Sequence, residues 1–190
     1  SFDKLDQLGS IQWPCNKEAP EGTTIMHVDR FVRGSGKFII TEFVPTTEVA
    51  NRRFPLLLTT GRKLTQYNVG TQTRRTPNNI WGMDDVLEIH PIDASTRGIS
   101  DNSLVLLQSR KGETTLKALV TEDIAPGVVY TTFHNPDTGA NVVTTENSDW
   151  ATNCPEYKVT AVEISPAEHR SNWQINRTKK LEQLRQIINS

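Results

Sequence analysis

Residues 103–121 read Ser-Leu-Val-Leu-Leu-Gln-Ser-Arg-Lys-Gly-Glu-Thr-Thr-Leu-Lys-Ala-Leu-Val-Thr, and this stretch decides the fold class. Apolar and β-branched residues dominate its two halves, 103–110 and 114–121, which the pair Lys111-Gly112 separates. Such runs are typical of strands, and Gly supplies the positive φ that a tight reversal needs. The stretch therefore predicts a β-hairpin, and with it a chain built mainly from strands.

Further strands are predicted on both sides of this hairpin. Pro126-Gly127 marks the next turn, because both residue types favour chain reversal. Runs of β-branched, aromatic or alternating residues predict four more strands, at Lys37–Phe43, Phe54–Thr60, Val128–Phe133 and Tyr157–Ile164. Short strands of this kind favour a closed or nearly closed barrel, because an open sheet would leave its edges exposed.

Two helices are predicted in addition to the strands. Pro91 suits the first position of a short helix that stops before Gly98, and His90 is expected to cap it. A second helix closes the chain within residues 167–190, and it is amphipathic because its apolar residues fall on one face. The residues of that face are Leu181, Leu184, Ile187 and Ile188.

The composition excludes several classes of protein. The chain has 190 residues, of which 35% are hydrophobic and 23% charged, as in an ordinary globular domain. A formal net charge of −1 offers no excess of basic residues for a nucleic acid. No window reaches the roughly 18 consecutive apolar residues of a membrane span, and no signal peptide is visible. We therefore expect a cytoplasmic protein with neither a membrane span nor a nucleic-acid partner.

The chain shows no self-contained active site. Cys15 and Cys154 lie far apart and form no C-x-x-C pair, so we expect two ordinary buried or half-buried thiols rather than a disulfide or a zinc site. The four histidines are not at metal-ligand spacing, and neither a nucleophile elbow nor a P-loop is present. No catalytic residue and no metal ligand is therefore predicted.

The predicted elements divide the chain into three parts. Residues 1–50 have too few apolar residues to build a core, so they are expected to form an arm that packs on the barrel or on domains missing from this sequence. Residues 51–166 are expected to form the barrel. Residues 167–190 carry the amphipathic helix.

Polar and basic residues follow the strand predicted at Phe54–Thr60. Thr60-Gly61-Arg62 can present backbone N–H groups and a guanidinium to an anion, and Gly61 lets the backbone approach closely. Gln66, Tyr67 and Asn68 then supply amide and hydroxyl groups suited to the edge of a polar heterocycle. The pattern is typical of a pyrophosphate site, although a strand-to-loop turn with Arg62 in a surface salt bridge would also produce it.

A second polar concentration runs from Phe133 to Lys158. Asn, Thr, His, Tyr and Lys dominate it, with few acidic residues. Such a set can hydrogen-bond a large polar ligand, and it is equally typical of a long connection between strands.

Taken in order, these segments resemble the C-terminal domain of the molybdopterin-dinucleotide oxidoreductases, the dimethyl-sulfoxide reductase superfamily. The shared elements are Thr60-Gly61-Arg62, Gln66-Tyr67-Asn68, Thr73-Arg74-Arg75, Leu87 to Ala94, Gly98-Ile99, Ser109 to Gly112, Pro126 to Val129, Asn141 to Thr145 and Pro155 to Lys158. Within that superfamily the chain most resembles the large (alpha) subunit of cytoplasmic NAD-dependent formate dehydrogenase. That likeness lies in Leu8 to Cys15, Tyr67 to Arg75, Tyr130 to His134 and Asn147 to Lys158.

The resemblance implies a mainly β fold, a six-stranded double-psi β-barrel with short embedded helices and a C-terminal helix. It also implies a cofactor, bis(molybdopterin guanine dinucleotide) with molybdenum or tungsten, shared with missing domains. Residues implied to contact the dinucleotide are Thr60, Gly61, Arg62, Gln66, Tyr67 and Asn68. Residues implied to line the pterin side are Phe133, His134, Asn141, Tyr157 and Lys158.

The resemblance further implies a parent reaction, the oxidation of formate to carbon dioxide, with electrons passing through iron–sulfur clusters towards NAD. The metal-ligating residue and the cluster cysteines belong to preceding domains of that family, so this chain alone is not expected to be catalytic. Its expected partners are those domains and the other formate dehydrogenase subunits.

Two alternatives stay open. The chain could be the same domain of another molybdopterin oxidoreductase, such as a nitrate reductase. It could also be a stand-alone double-psi barrel that acts as a binding module, because a fold alone does not determine function.

Overall fold

The computed structural model describes residues 1–31, 33–82 and 84–189 and divides the chain into two units, residues 1–44 and 45–190. The predicted boundary lay near residue 50. Residues 45–50 belong with the second unit, where the Glu48 carboxylate accepts a hydrogen bond from the Ala161 backbone N–H at 2.8 Å. Ser190, at the end of the predicted helical segment, lies outside the described residues.

The first unit contains helix α1 (Phe2–Leu8), which the side chain of Ser1 caps. The prediction of a strand at Lys37–Phe43 is wrong, because these residues form no strand and are exposed. A strand needs a neighbour for its backbone N–H and C=O groups. Among the described residues of this unit, the only β-bridge joins Phe31 to Gly34. Residues 37–43 thus have high β-propensity but no partner strand among the described residues.

The second unit contains the barrel, and it confirms the mainly β fold. Its strands are β1 (Leu56–Gly61), β2 (Val86–Ile89), β3 (Leu104–Ser109), β4 (Glu113–Val120), β5 (Val128–Thr132) and β6 (Thr160–Pro166). They close in the order β1-β5-β2-β4-β3-β6. Alternate strand residues point inward and form a core that includes Leu58, Leu87, Ile89, Val105, Leu107, Val129 and Val162.

Two crossing connections give the barrel its double-psi character. Strands β1 and β2 follow each other in sequence, yet β5 lies between them, parallel to β1 and antiparallel to β2. Strands β4 and β5 are likewise consecutive, and β2 lies between them, parallel to β4. The remaining pairs, β3 with β4, β3 with β6 and β1 with β6, are antiparallel.

The helices and turns fill the connections. Helix α2 (Pro91–Thr96) has the predicted Pro start, and His90 caps it through Nδ1, which accepts from the Ile92 N–H at 3.2 Å. Short 3₁₀ turns cover Thr73–Arg75, Pro77–Trp81 and Ala140–Val142, and α3 (Asn172–Ile188) closes the chain. No helix within the described residues is long and apolar enough to cross a membrane.

The hairpin β3–β4 is confirmed, but the reason for its glycine differs from the one expected. Gly112 does not have a positive φ. A Cβ at this position would lie 2.9 Å from the Val142 Cγ1 and from the Val142 backbone oxygen. Gly112 therefore allows the turn to contact the 3₁₀ turn at Ala140–Val142.

Helix α3 docks on the barrel through its first turn. Ser171 and Gln174 form a capping box, and the buried Gln174 side chain also bonds the backbone of Thr115 in β4. The face predicted to be apolar is largely solvent-exposed, with Leu184 45% exposed. The observed bonds of Gln174 thus join α3 to β4, whereas the predicted stripe stays largely exposed.

Candidate functional site

The parallel pairing of β1 with β5 brings two loops to one end of the barrel. Gly61 pairs with Thr132, so both strands end side by side. The connection 62–85 leaves from β1, and the connection 133–159 leaves from β5. This arrangement brings the two polar stretches of the sequence together. We call residues 62–68 the exit loop.

Gly61 is needed because an aromatic side chain occupies the adjacent space. A Cβ at Gly61 would lie 2.3 Å from the Tyr130 hydroxyl oxygen and 2.7 Å from Cε2 of the same ring. The sequence predicted close approach of a ligand at this glycine, and the structure places the phenol of a β5 residue there.

His134 joins the two loops through both of its ring nitrogens. Nε2 accepts a hydrogen bond from the Lys63 backbone N–H at 2.8 Å, and Nδ1 lies against the Asn68 backbone oxygen. Because a carbonyl oxygen can only accept, the geometry requires the proton on Nδ1. The His134 side chain is fully buried, and its two ring contacts hold the exit loop. The resemblance implied that this residue lines the pterin side, and that role stays a prediction.

Asp85 is a buried carboxylate that sequence reasoning missed. Oδ1 accepts from the His134 backbone N–H at 3.3 Å, and Oδ2 accepts from the Asn135 backbone N–H and the Thr138 hydroxyl, both at 2.8 Å. The Thr132 hydroxyl also donates to Oδ1. No motif singled out this residue, because its partners lie in a distant part of the chain.

Gln66 carries a buried side-chain amide whose N–H donors are not used in the described part of the chain. Its Oε1 accepts from the Thr73 hydroxyl at 2.6 Å, whereas its Nε2 is buried without a hydrogen-bond partner in the described part of the chain. A buried donor without a partner is costly, so such a group commonly marks a place where a ligand, a water or another chain completes the bonding.

The connection that leaves β1 is strongly basic. Residues 62–83 contain Arg62, Lys63, Arg74 and Arg75 and no acidic residue, although the whole chain has a net charge of −1. Arg62 is exposed, and its side chain forms no hydrogen bond or ion pair with any described residue. The surface salt bridge considered as the alternative for Arg62 is therefore absent from the described structure. A guanidinium in this state is available to an anion.

Tyr157 and Lys158 lie beside the same strand exit. The Thr60 hydroxyl donates to the Tyr157 backbone oxygen at 2.8 Å, and the Lys158 ammonium donates to the Thr60 backbone oxygen. These bonds hold the end of the 133–159 connection against β1. Tyr157 is half-exposed, so its ring remains available for contact with a ligand.

Phe133 and Asn141 differ in their contacts with the other candidate residues. The Phe133 ring lies beside His134, with ring centroids 5.3 Å apart. Asn141 lies in the 3₁₀ turn at Ala140–Val142, and no hydrogen bond connects its side chain to the other described candidates. Asn141 is thus grouped with the other candidates by the resemblance alone.

A polar cleft of about 340 Å³ opens next to the 133–159 connection. Its lining includes Glu48, Arg110, Asn147 and Thr160, and none of the residues implied to bind the cofactor. Glu48 and Arg110 form an ion pair at 2.6 Å across it. The Thr160 hydroxyl is buried there without a hydrogen-bond partner among the described residues.

Burial and nearby carboxylates raise the pKa values of two side chains on the outer face near the exit, Glu88 and Tyr130. Burial raises the pKa of Glu88, and the nearby Asp123 carboxylate adds to the effect. Burial also raises the pKa of Tyr130, with the Glu88 and Asp85 carboxylates contributing. Tyr130 therefore stays a neutral phenol over the physiological range and can pack against Gly61.

The cysteine prediction is wrong in one respect. Cys15 and Cys154 are both free, as expected, but both are exposed. Cys154 lies in a loop that Asp149 organises, and its backbone N–H, not its thiol, is the bonded group. Among the described residues, no group of three or more His, Cys, Asp or Glu side chains is placed to hold a metal ion.

The arrangement can therefore bind a large polyanion at the strand exit. It combines the Arg62 guanidinium, which has no partner in the described part of the chain, with a basic loop, half-exposed aromatic groups and two loops cross-linked by His134. The backbone N–H groups of Leu64, Thr65 and Asn68 make no hydrogen bond to a described residue, so they can also meet an anion.

Known proteins resemble this chain at the level of both sequence and fold. The chain is 40% identical over 161 residues to the F420-dependent formate dehydrogenase subunit alpha of Methanocaldococcus jannaschii, covering 83% of this chain and 24% of the relative. It is 31% identical over 172 residues to the assimilatory nitrate reductase catalytic subunit of Bacillus subtilis, covering 87% of this chain and 24% of that protein. The chain thus spans about a quarter of the length of these curated relatives. The expected NAD-dependent type is not confirmed.

A solved structure shares the fold. Acetylene hydratase from Pelobacter acetylenicus matches with a TM-score of 0.51 at 15% identity, over 60% of this chain and 18% of that one. The sequence profile of the molydopterin dinucleotide binding domain matches residues 56–161, which contain the whole strand exit and both of its loops. The chain therefore belongs to the molydopterin dinucleotide binding domain family.

Proposed function

We propose that this chain is the cofactor-binding C-terminal domain of a formate dehydrogenase alpha subunit. The observation that carries the proposal is the strand exit. There residues 62–83, which contain four basic and no acidic residues, meet the loop that follows β5, and the Arg62 side chain has no partner among the described residues. The likeness to the formate dehydrogenase alpha subunit over 83% of this chain supports the choice of parent enzyme.

The residues at the exit fit the dinucleotide part of such a cofactor. Arg62 offers a fork of N–H donors to a pyrophosphate, and Gln66 offers a buried amide donor that has no partner among the described residues. Tyr67 and Asn68 extend the polar surface, with Tyr67 66% exposed. Phe133, Tyr157 and Lys158 face the exit from the second connection, and Asn141 belongs to the proposal on the resemblance alone.

In this proposal the cofactor is bis(molybdopterin guanine dinucleotide), and its molybdenum or tungsten supplies the redox chemistry of formate oxidation when bound. The residues of this chain bind and orient the dinucleotide and exclude water from one side of it. Preceding domains of the same subunit cover the other side and carry the cysteines of the iron–sulfur clusters, another subunit receives the electrons, and the cytoplasm is the compartment that the sequence predicts.

A nitrate reductase is the second candidate, because the assimilatory nitrate reductase of Bacillus subtilis matches over a similar length. Assays of the full-length polypeptide with formate and with nitrate separate the two. Activity with formate alone supports the proposal, and activity with nitrate alone contradicts it. Parallel formate assays with NAD and with F420 identify the acceptor.

The contribution of Arg62 is tested by binding of guanosine diphosphate to the cofactor-free full-length polypeptide. We expect Arg62→Ala to weaken binding about tenfold or more, because a charge-assisted hydrogen bond to phosphate is lost. Arg52→Ala is the matched control, since Arg52 precedes β1 and so lies at the opposite end of that strand. Equal affinity of Arg62→Ala and Arg52→Ala would contradict the phosphate role.

A further inference from the structure

Asp85 organises the first residues of the connection that leaves β5. It is 2% exposed, and its carboxylate receives four hydrogen bonds, from the backbone of His134 and Asn135 and from the hydroxyls of Thr132 and Thr138. All four donors lie within residues 132–138. A single carboxylate at the end of the 62–85 connection thus holds the start of the 133–159 connection.

Because the Asp85 side chain is a buried carboxylate, it restricts the conformation of residues 132–138. No lysine or arginine among the described residues forms an ion pair with it, so its hydrogen bonds alone replace the water that it loses on burial. A buried carboxylate needs its donors in place, and any other backbone path for 132–138 would leave it without them. Asp85 therefore selects one conformation of this segment.

His134 transmits that conformation to the exit loop. Its backbone N–H is held by Asp85, and its ring holds the Lys63 N–H through Nε2 and the Asn68 oxygen through Nδ1. Lys63 and Asn68 lie at the two ends of the segment that contains Gln66 and Tyr67. If the His134 backbone shifts, the ring cannot reach both ends of this segment.

We propose that Asp85, acting through His134, is a positioning residue for the exit loop. It does not touch the ligand, since its oxygens face residues 132–138. It sets the shape of residues 62–68, and that shape decides how Arg62, Gln66 and Tyr67 are presented. Only the effect on ligand affinity rests on the proposed function, whereas the effect on the exit loop stands on the contacts alone.

Hydrogen exchange tests the proposal in the cofactor-free full-length polypeptide. We expect Asp85→Ala to accelerate exchange of the amides in residues 62–68, Lys63 above all, about tenfold, because their anchor is lost. Asp84→Asn is the matched control, since Asp84 is exposed and only its backbone oxygen is bonded. Exchange in Asp85→Ala equal to that in Asp84→Asn overturns the proposal.

Variants of His134 separate positioning from general destabilisation. His134→Gln keeps an acceptor for the Lys63 N–H, whereas His134→Leu keeps neither ring bond. We expect exchange at Lys63 to be close to wild type in His134→Gln and accelerated in His134→Leu. Leu107→Ala, a core change in β3, is the stability control, and it should accelerate exchange of the core amides while leaving exchange at Lys63 close to wild type. Equal exchange at Lys63 in the two His134 variants overturns the proposal.

Guanosine diphosphate affinity links the loop to its ligand. With Asp85→Ala we expect affinity to fall about tenfold relative to Asp84→Asn. Faster loop exchange with unchanged affinity overturns the positioning role. If the wild type binds no guanosine diphosphate, the proposed function fails, and the exchange data still decide whether Asp85 holds the exit loop.

Discussion

Gly61 is the residue at which the barrel and the candidate site meet. Sequence reasoning identified it as a position of close approach and assigned that approach to a ligand. The structure shows that the Tyr130 ring lies close to this glycine. The identity of a distant neighbour depends on strand pairing, and the pairing of β1 with β5 is not encoded in the residues around position 61.

Replacement of Gly61 by alanine is predicted to destabilise the protein by about 1–3 kcal/mol, because the new Cβ collides with the Tyr130 ring. The collision should disappear in a Tyr130→Ala background. The measurement is the free energy of urea unfolding in a double-mutant cycle. A cost in the Tyr130→Ala background as large as in the wild type would show that the glycine is required for another reason.

Asp149 is predicted to remain ionised in mild acid. Hydrogen bonds from the Thr152 hydroxyl and from the backbone N–H groups of Thr152, Cys154 and Ala151 hold its pKa at about 2, and burial has a smaller opposing effect. Because the folded pKa is depressed, the contribution of the carboxylate to this loop is complete above the ordinary aspartate value. It is lost as the pH falls through about 2.

The measurement for Asp149 is the chemical shift of its side-chain carbon, followed by NMR between about pH 5 and pH 3, where ordinary aspartates titrate. We expect little change over this interval. Thr152→Val, which removes the hydroxyl donor, should move the titration towards higher pH. A wild-type midpoint near the ordinary aspartate value would contradict the observed hydrogen bonds.

Local elements are predictable from sequence where the signal lies within a few residues. The Pro91 start and the His90 cap of α2 are confirmed, and so is the hairpin β3–β4. Strand β2 is missed, because its four residues give no recognisable alternation and lie directly before the helix signal. The strand expected at 37–43 fails for the opposite reason, since a clear local signal finds no partner strand.

Helix α3 is expected to dock on the barrel through the polar contacts of Gln174. Gln174→Ala is predicted to lower stability by about 1–3 kcal/mol, because it leaves the buried Thr115 backbone without its partners. Gln183→Ala, an exposed glutamine of the same helix, should cost less than about 0.5 kcal/mol. Urea unfolding of both variants is the measurement. Equal effects would show that α3 does not dock through Gln174.

At the scale of the whole molecule, the site depends on the crossed connections of the barrel. Residues 62–68 and 133–134 meet because β1 pairs with β5 although β5 is far along the chain, and composition and periodicity do not specify such a crossing. The resemblance of ordered motifs implied it, and the closed strand order confirms the barrel. Asp85 was missed, because its role exists only once the two connections lie side by side.

If this domain holds a molybdopterin dinucleotide at the exit of β1, pterin and guanine nucleotide should copurify with it. The decisive experiment is to measure the pterin and guanine nucleotide content of the full-length polypeptide, purified from its own cells as wild type, Arg62→Ala and Arg52→Ala. We predict both compounds in equal molar amounts in the wild type and in Arg52→Ala, with a clear loss in Arg62→Ala. Wild-type protein that contains neither pterin nor guanine nucleotide would contradict the account.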